Sequence, residues 1–281
     1  MRAHTPSSDW GDWLPTAVAD ATVEGVSLWY LGCNGFVLKA GDGTTLFIDP
    51  YFGLGTPPRT VRMIPVPMEP ADVTDADALL ATHEHSDHVD GPSQAPILAG
   101  TGATMYGADD SIERTVEEGW TDRWECTDGQ FETVSEGDHL EVGSLDVFVE
   151  AAHDPLATHP VSYVIRHEAG TFFHGGDTRH DPDTLDDIGR RYDVDLGVVA
   201  FGSNGLITDK ETGESRYRDW YCDGNEAVSV ANALRMDRLV PTHWDMWKGL
   251  RADPKTLFDH ARSMAYPRDV EVAVVGDRVE L

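Results

Sequence analysis

The chain has 281 residues, 40% of them hydrophobic, and carries 50 Asp and Glu against 21 Lys and Arg, a formal net charge of -29. That is enough apolar material for the core of one domain spanning residues 1–281, and the charge speaks against nucleic acid or an anionic membrane as a partner. Only Lys39, Lys210, Lys248 and Lys255 are lysines, and a surface this self-repelling is favoured only where salt screens it, down to about 3 Å at molar concentration, so the composition reads as a cytoplasmic protein adapted to high salt.

The N-terminal "MRAHTPSSDWGDWLP" is a polar leader without the apolar stretch of a signal peptide, and no run approaches the roughly 20 apolar residues of a membrane span. "VSLWYLG", "GFVLKAG" and "TTLFIDPYFG" then read as strands of an antiparallel meander. "GLGTPPRTVRMIPVPMEPADVTD" has no clear period and reads as a long loop. "DALLATH" is a buried strand running straight into "HEHSDH", and "DDSIERTVEEGW" carries helical spacing. "FETV", "HLEVGSLDVFVEAAH", "VSYVIRHEAG" and "TFFHGGD" continue as strands. Helices and strands alternate from there, through "DTLDDIGRRY", "VDLGVVAFG", "NEAVSVANALRM", "RLVPTH" and "PKTLFDHARSMA", and "VEVAVVGDRVEL" is expected to close as a hairpin. Strands first and alternation later suggest an α/β fold of stacked sheets with helices outside.

The chemistry concentrates in "LLATHEHSDHVDG". On an extended segment His83 and His85 project to one side. A turn after them lets Asp87 and His88 swing to a neighbouring position. Imidazole and carboxylate donors suit Zn²⁺, Mn²⁺ or Fe²⁺. His153, Asp177 and His243 each stand where another apolar run stops, which is where a site above stacked sheets would collect donors. Cys33, Cys126 and Cys222 are widely spaced and form no CxxC pair, so neither a disulfide framework nor a thiolate zinc site is expected.

"LGCNGFVLK", "FIDPYFG", "LLATHEHSDHVD", "HGGDTRH", "DLGVVAFGSNGLITDK" and "RLVPTHWDMWKGLRADP" together resemble the metallo-β-lactamase superfamily, and within it the L-ascorbate-6-phosphate lactonase-like group, over most of residues 26 to 260. The resemblance implies a four-layered αβ/βα sandwich with a dinuclear centre at one edge, holding two divalent ions, Zn²⁺ or Mn²⁺. It assigns His83, His85 and His153 to one ion and Asp87, His88 and His243 to the other, with Asp177 bridging. His159 is a weaker rival for the place of His153. Asp49, in "FIDP", would hold the free ring N–H of a ligand histidine, or simply be a turn aspartate before Pro50.

Two such ions lower the pKa of a bridging water toward about 7, and Asp87 is placed to orient the resulting hydroxide as well as to bind metal. No G-x-S-x-G elbow and no phosphate-binding loop competes with this reading. The expected activity is hydrolysis of a lactone or related ester of sugar-acid type, a small-molecule substrate. Phosphodiester hydrolysis of a nucleotide-type substrate and a non-catalytic metal-binding role are the alternatives. Specificity would come from the polar segment 202–225 and its neighbour "HWDMWKG", where Asn204, Lys210, Arg216 and Trp244 are candidate substrate contacts, Asp209, Arg218 and Trp247 standing beside them. Assembly into a homo-oligomer is left open by the sequence.

Overall fold

The computed structural model describes residues 7–57, 59–202, 205–208 and 212–281. Sixteen strands and seven α-helices are found among them. Strands β1 (Val26–Gly32), β2 (Gly35–Ala40), β3 (Thr45–Ile48), β4 (Ala78–Leu80), β5 (Thr104–Gly107) and β6 (Phe131–Thr133) form most of a first sheet. Strands β7 (His139–Val142), β8 (Leu145–Ala151), β9 (Val161–His167), β10 (Gly170–His174) and β11 (Leu196–Ala200) begin the second. A separate ribbon pairs β12 (Gly205–Thr208) with β13 (Ser215–Arg218), and β14 (Arg238–Thr242), β15 (Asp269–Val270) and β16 (Arg278–Glu280) follow. The first sheet runs β16-β1-β2-β3-β4-β5-β6 and the second β15-β14-β11-β10-β9-β8-β7, seven strands each.

Period-2 alternation explains the layering. On β1, Val26, Leu28 and Tyr30 enter the core between the sheets, where they join Val147, Val149, Tyr163, Ile165 and Val198 from the second sheet. Trp29 and Leu31 point to the opposite face, where they pack with Leu14 and Val18 of α1 (Trp13–Ala19) and Ile97 and Leu98 of α2 (Gly91–Thr101). Behind the second sheet, Phe173 and Val199 pack against Leu185 of α5 (Pro182–Arg191), Val228 of α6 (Gly224–Ala233) and Leu257 of α7 (Lys255–Ala261). Helix, sheet, sheet and helix make the αβ/βα sandwich. α3 (Asp109–Glu117) and α4 (Trp120–Trp124) extend the first helical layer.

Three elements differ from the sequence reading. α1 lies in what reads as a polar leader, because Leu14, Pro15 and Val18 bury one side of a single short helix. α2 contains Pro92 and Pro96, which mask it in sequence; Asp90 caps it by accepting a hydrogen bond from Ser93 N at 3.1 Å, and the early Pro falls where helix N–H groups have no intrahelical partner anyway. The closing segment is not a hairpin: β15 pairs in parallel with β14 in the second sheet, while β16 pairs antiparallel with β1 in the first. The chain crosses between sheets here, and burying Ala273 and Val279 in the shared core outweighs a local turn.

Candidate metal centre

The C-terminal ends of β3, β4, β8, β10 and β14 converge at one edge of the sandwich, together with the β1–β2 turn. β3, β8, β10 and β14 are each followed within three residues by one donor or donor-holding residue, and β4 by a loop that carries four donors.

His83 and His85 leave β4 on the same side, with His83 Nε2 and His85 Nδ1 3.0 Å apart. Both face Asp154 Oδ2 at 3.6 Å. Asp177, beyond β10, lies within reach of this group and of a second one formed with His88 and His243. His88 Nε2 is 3.5 Å from Asp177 Oδ2, and His243 Nε2 is 3.2 Å from Asp177 Oδ1. A third, overlapping group brings Asp87 and Cys33 to His243, with Cys33 Sγ 3.8 Å from Asp87 Oδ2 and 3.6 Å from His243 Nε2. Within each group the donor atoms lie within 4.8 Å of one another.

The remaining ring nitrogens are held from behind. Asp49 is fully buried; its Oδ1 accepts from Thr82 N at 2.9 Å, and its Oδ2 accepts from Thr82 Oγ1 at 2.6 Å and from His88 Nδ1 at 2.7 Å. Because the Thr82 hydroxyl proton goes to Asp49, its oxygen is left to accept from His83 Nδ1, 3.0 Å away. The network therefore assigns protons to Nδ1 of both histidines and turns Nε2 of both toward the site. His85 is fixed the other way round: its Nε2 donates to Leu156 O at 3.1 Å, leaving Nδ1 as the donor atom. Asn34 Nδ2 donates to Asp177 Oδ1 at 3.4 Å, and Asn34 Oδ1 accepts from Thr242 Oγ1 at 2.7 Å.

Electrostatics follow from burial and these neighbours. Burial, aided by the positive His88, holds the His83 pKa well below its ordinary value, so its lone pair is free. Burial opposes charge on His88 too, yet Asp177 and Asp49 overcome it and hold its pKa well above normal. Asp177 is kept ionised against burial by His243 and His88. Burial and the Asp177 charge raise Asp154. His88 Nε2 is buried without a hydrogen-bond partner among the described residues, while carboxylate charge surrounds it. A cation at that point answers the same demand as a proton, and histidine nitrogens with carboxylate oxygens are the donors that divalent zinc, manganese and iron take. The residues fit a metal centre.

Backbone strain marks the same place. Cys33, Asp49 and His243 have φ of 59°, 43° and 62°. Such left-handed positions cost about 1–3 kcal/mol each and persist where surrounding contacts over-determine them. Here the contacts include His243 N donating to Cys33 O at 3.0 Å, which ties the β1–β2 turn to the end of β14.

The expected residues do not all converge. His83, His85, Asp87, His88, Asp177 and His243 are brought together, and Asp49 stands behind His88. His153 is not part of the cluster. β8 ends at Ala151, and both backbone groups of His153 are pinned: its N donates to Thr178 Oγ1 at 2.9 Å and its O accepts from Arg179 N at 2.7 Å. That orientation leaves the His153 ring exposed and turns the next residue, Asp154, inward. His159 is exposed and pairs with Asp110 at 2.5 Å. The end of the apolar run points to His153; the adjacent Asp154, also a possible donor, is the residue that the structure turns toward the cluster.

A cleft of about 540 Å³ opens over the cluster. His85, Asp87, Asp154 and Asp177 form part of its lining, and Tyr51, Tyr221 and Trp247 wall it on one side. Arg59 and Arg218 stand at its rim with Trp220, the Arg59 guanidinium lying 5.5 Å from the Trp220 ring centre. Of the candidate substrate contacts, Trp244 packs against the cluster behind the second sheet, and Arg216 is exposed and paired with Glu214 at 3.2 Å; neither lines the cleft. Asn204, Asp209 and Lys210 lie outside the described residues.

A family model described as beta-lactamase superfamily domain matches residues 44–244. The chain belongs to the metallo-β-lactamase superfamily and is a metallo-hydrolase of that fold. Among its relatives, the probable L-ascorbate-6-phosphate lactonase of Escherichia fergusonii is 25% identical over 297 residues, covering 89% of this chain and 78% of the relative. Among solved structures, Igni18, a metallo hydrolase from Ignicoccus hospitalis, superposes with a TM-score of 0.65 at 21% identity, over 90% of this chain and 97% of its own. The diiron β-hydroxylase CmlA from Streptomyces venezuelae shares the fold with a TM-score of 0.65 at 17% identity, over 93% of this chain and 55% of its own. No helix among the described residues is long and apolar enough to cross a membrane.

Proposed function

We propose that the protein opens a lactone or related ester of a sugar-acid type substrate, using a dinuclear centre of Zn²⁺ or Mn²⁺. The observation that carries this reading is the pair of donor groups sharing Asp177 at the floor of one cleft. His83, His85, Asp154 and Asp177 would hold one ion, and His88, His243, Asp177 and Asp87 the other. When bound, two such ions activate water as a nucleophile near neutral pH and polarise the carbonyl under attack. The chain's own residues do the rest. Asp87, only partly buried in the lining, orients the water and draws on its proton. Asp49 and Thr82 keep the histidine nitrogens aimed.

The lactonase relatives support the substrate class, and the rim supports an acidic substrate. Most described arginines of this acidic chain are paired with carboxylates, for instance Arg191 with Glu150 at 2.6 Å and Arg179 with Glu226 at 2.7 Å. Arg59 and Arg218 have no carboxylate partner among the described residues, which leaves them to meet a substrate anion. The same rim suits a phosphodiester, so the test is a hydrolysis panel of sugar-acid lactones, simple esters and phosphodiesters in high salt, with Mn²⁺ or Zn²⁺ returned to metal-free protein. Lactone turnover with two metal equivalents bound supports the proposal; turnover confined to phosphodiesters replaces its substrate. The net charge of -29 also supports a high-salt, cytoplasmic setting. The melting temperature should climb steeply with KCl from dilute buffer to molar salt, where screening shortens to about 3 Å, and a flat curve overturns the salt adaptation.

A further inference from the structure

The aromatic wall of the cleft holds two phenols whose protons are unspent. The Tyr221 ring stacks on the His243 ring with centroids 4.4 Å apart and planes 21° from parallel. Its hydroxyl accepts a hydrogen bond from Trp247 Nε1 at 3.0 Å. The Tyr51 hydroxyl accepts from Gly55 N at 3.1 Å. Trp247 links the two, its ring centre 6.0 Å from that of Tyr51. A phenol has one proton to donate besides the lone pairs that accept, and among the described residues neither proton finds an acceptor. Both side chains line the cleft.

We propose that Tyr221, seconded by Tyr51, donates its phenolic O–H to the substrate oxygen on which negative charge develops during hydrolysis. This rests on the hydrolytic reading above and names residues that it does not use. Accepting from the indole N–H polarises the Tyr221 hydroxyl and makes it a better donor. A phenol, with an ordinary pKa of about 10, keeps its proton throughout the neutral range. Burial and the Asp90 charge raise the Tyr51 pKa further. Neither group is free to drift. The stacked His243 and the Trp247 bond fix Tyr221. Arg62, buried under the loop, donates to Tyr51 O at 3.0 Å and to Pro65 O at 2.8 Å, which anchors Tyr51 from its backbone. Donors aimed in advance, with water excluded, stabilise a developing oxyanion more than mobile water can.

The test compares metal-reconstituted wild type with Tyr221→Phe, Tyr51→Phe and Trp247→Phe on the best substrate from the panel. Metal content is measured by elemental analysis, and affinity for phenylphosphonate, a tetrahedral oxyanion probe, by calorimetry. Tyr221→Phe should lower kcat on the order of 10²-fold, the loss found for one oxyanion donor, with KM little changed and metal content intact. Phenylphosphonate affinity should fall in parallel. Tyr51→Phe should lose less, and Trp247→Phe, which keeps the phenol but removes its polarising partner, less again. Full kcat in Tyr221→Phe overturns the proposal. Lost metal in that variant, or Trp247→Phe equalling it in every readout, also overturns it, because either shows a packing role. A wild type inactive on every substrate class withdraws the hydrolytic reading and this inference with it, whereas an active wild type with an unaffected Tyr221→Phe removes this inference alone.

Discussion

The first sheet hands over its donors in one piece, His83, His85, Asp87 and His88 on a single loop after β4, whereas the second sheet contributes one residue at a time, Asp154, Asp177 and His243 from three separate strand ends. The two halves also differ in what holds them. His83 and His88 are oriented by side chains from their own sheet, Asp49 and Thr82. Asp177 and His243 depend on partners across the sandwich, Asn34 for the first and Cys33 O for the backbone of the second. A loop can carry several donors cheaply, because one turn positions them all. Donors spread over three strand ends require both sheets to be in register, so metal binding reports on the whole fold.

The sharpest break between the halves is at residues 153 and 154. Asp154→Ala should bind one metal less tightly and lose on the order of 10²–10⁴-fold in turnover, the range for a positioned group at the reacting centre, while His153→Ala should leave metal content and kcat near wild type. Elemental analysis and steady-state kinetics on the pair decide it, and the reverse pattern would restore the histidine as the ligand.

Asp49 tests whether the first-sheet half is held as described. Asp49→Asn keeps one acceptor oxygen where the carboxylate has two, so an amide hydrogen faces either Thr82 N or the Thr82 hydroxyl and His88 Nδ1. Metal affinity should fall about 10–100-fold, the usual effect of losing such a support, with the melting temperature of metal-free protein much less affected. Competition against a chelator measures it.

Asp90 lies just beyond the first-sheet loop, and burial raises its pKa to about 6. A carboxyl raised on folding binds its proton more tightly in the folded state, so its contribution is present below the unfolded value near 3.8 and is lost as pH rises to about 6. Between those limits the wild type should lose on the order of 2 kcal/mol of stability that Asp90→Asn does not lose. Denaturant titrations across the window compare the two slopes.

The smallest effect belongs to the rim. Arg218→Ala should raise KM several-fold for an anionic substrate and leave kcat nearly unchanged, the mark of binding lost equally in ground and transition states. A neutral substrate analogue should show no change, and an equal rise for both would mean that Arg218 shapes the cleft rather than holding charge.

The strand ends show how far the residues could be read directly. The β1–β2–β3 meander, the strand before "HEHSDH", α5, α6 and α7 all follow from local periodicity, because each buries a face set by its own spacing. α2 escaped because its two prolines are tolerated only with Asp90 capping and the apolar residues 95, 97 and 98 buried against the first sheet. The closing hairpin escaped because alternation gives a strand its faces but not its partner, and the partners of β15 and β16 lie in different sheets.

By itself the sequence pointed to metal chemistry, since four donors on one loop and two more at other strand ends leave few other uses for those side chains. Tertiary structure decided which side chains turn inward. At Ala151 the strand stops, and Thr178 and Arg179 seize the backbone of His153, so that Asp154 and not the histidine faces Asp177. Tertiary structure also brought Cys33, Tyr51 and Tyr221 to the same edge from distant segments, as the stacked His243 ring and its left-handed backbone show. The physical reason is that side-chain direction at a strand end is set by hydrogen bonds from another part of the chain, and local spacing carries no record of them.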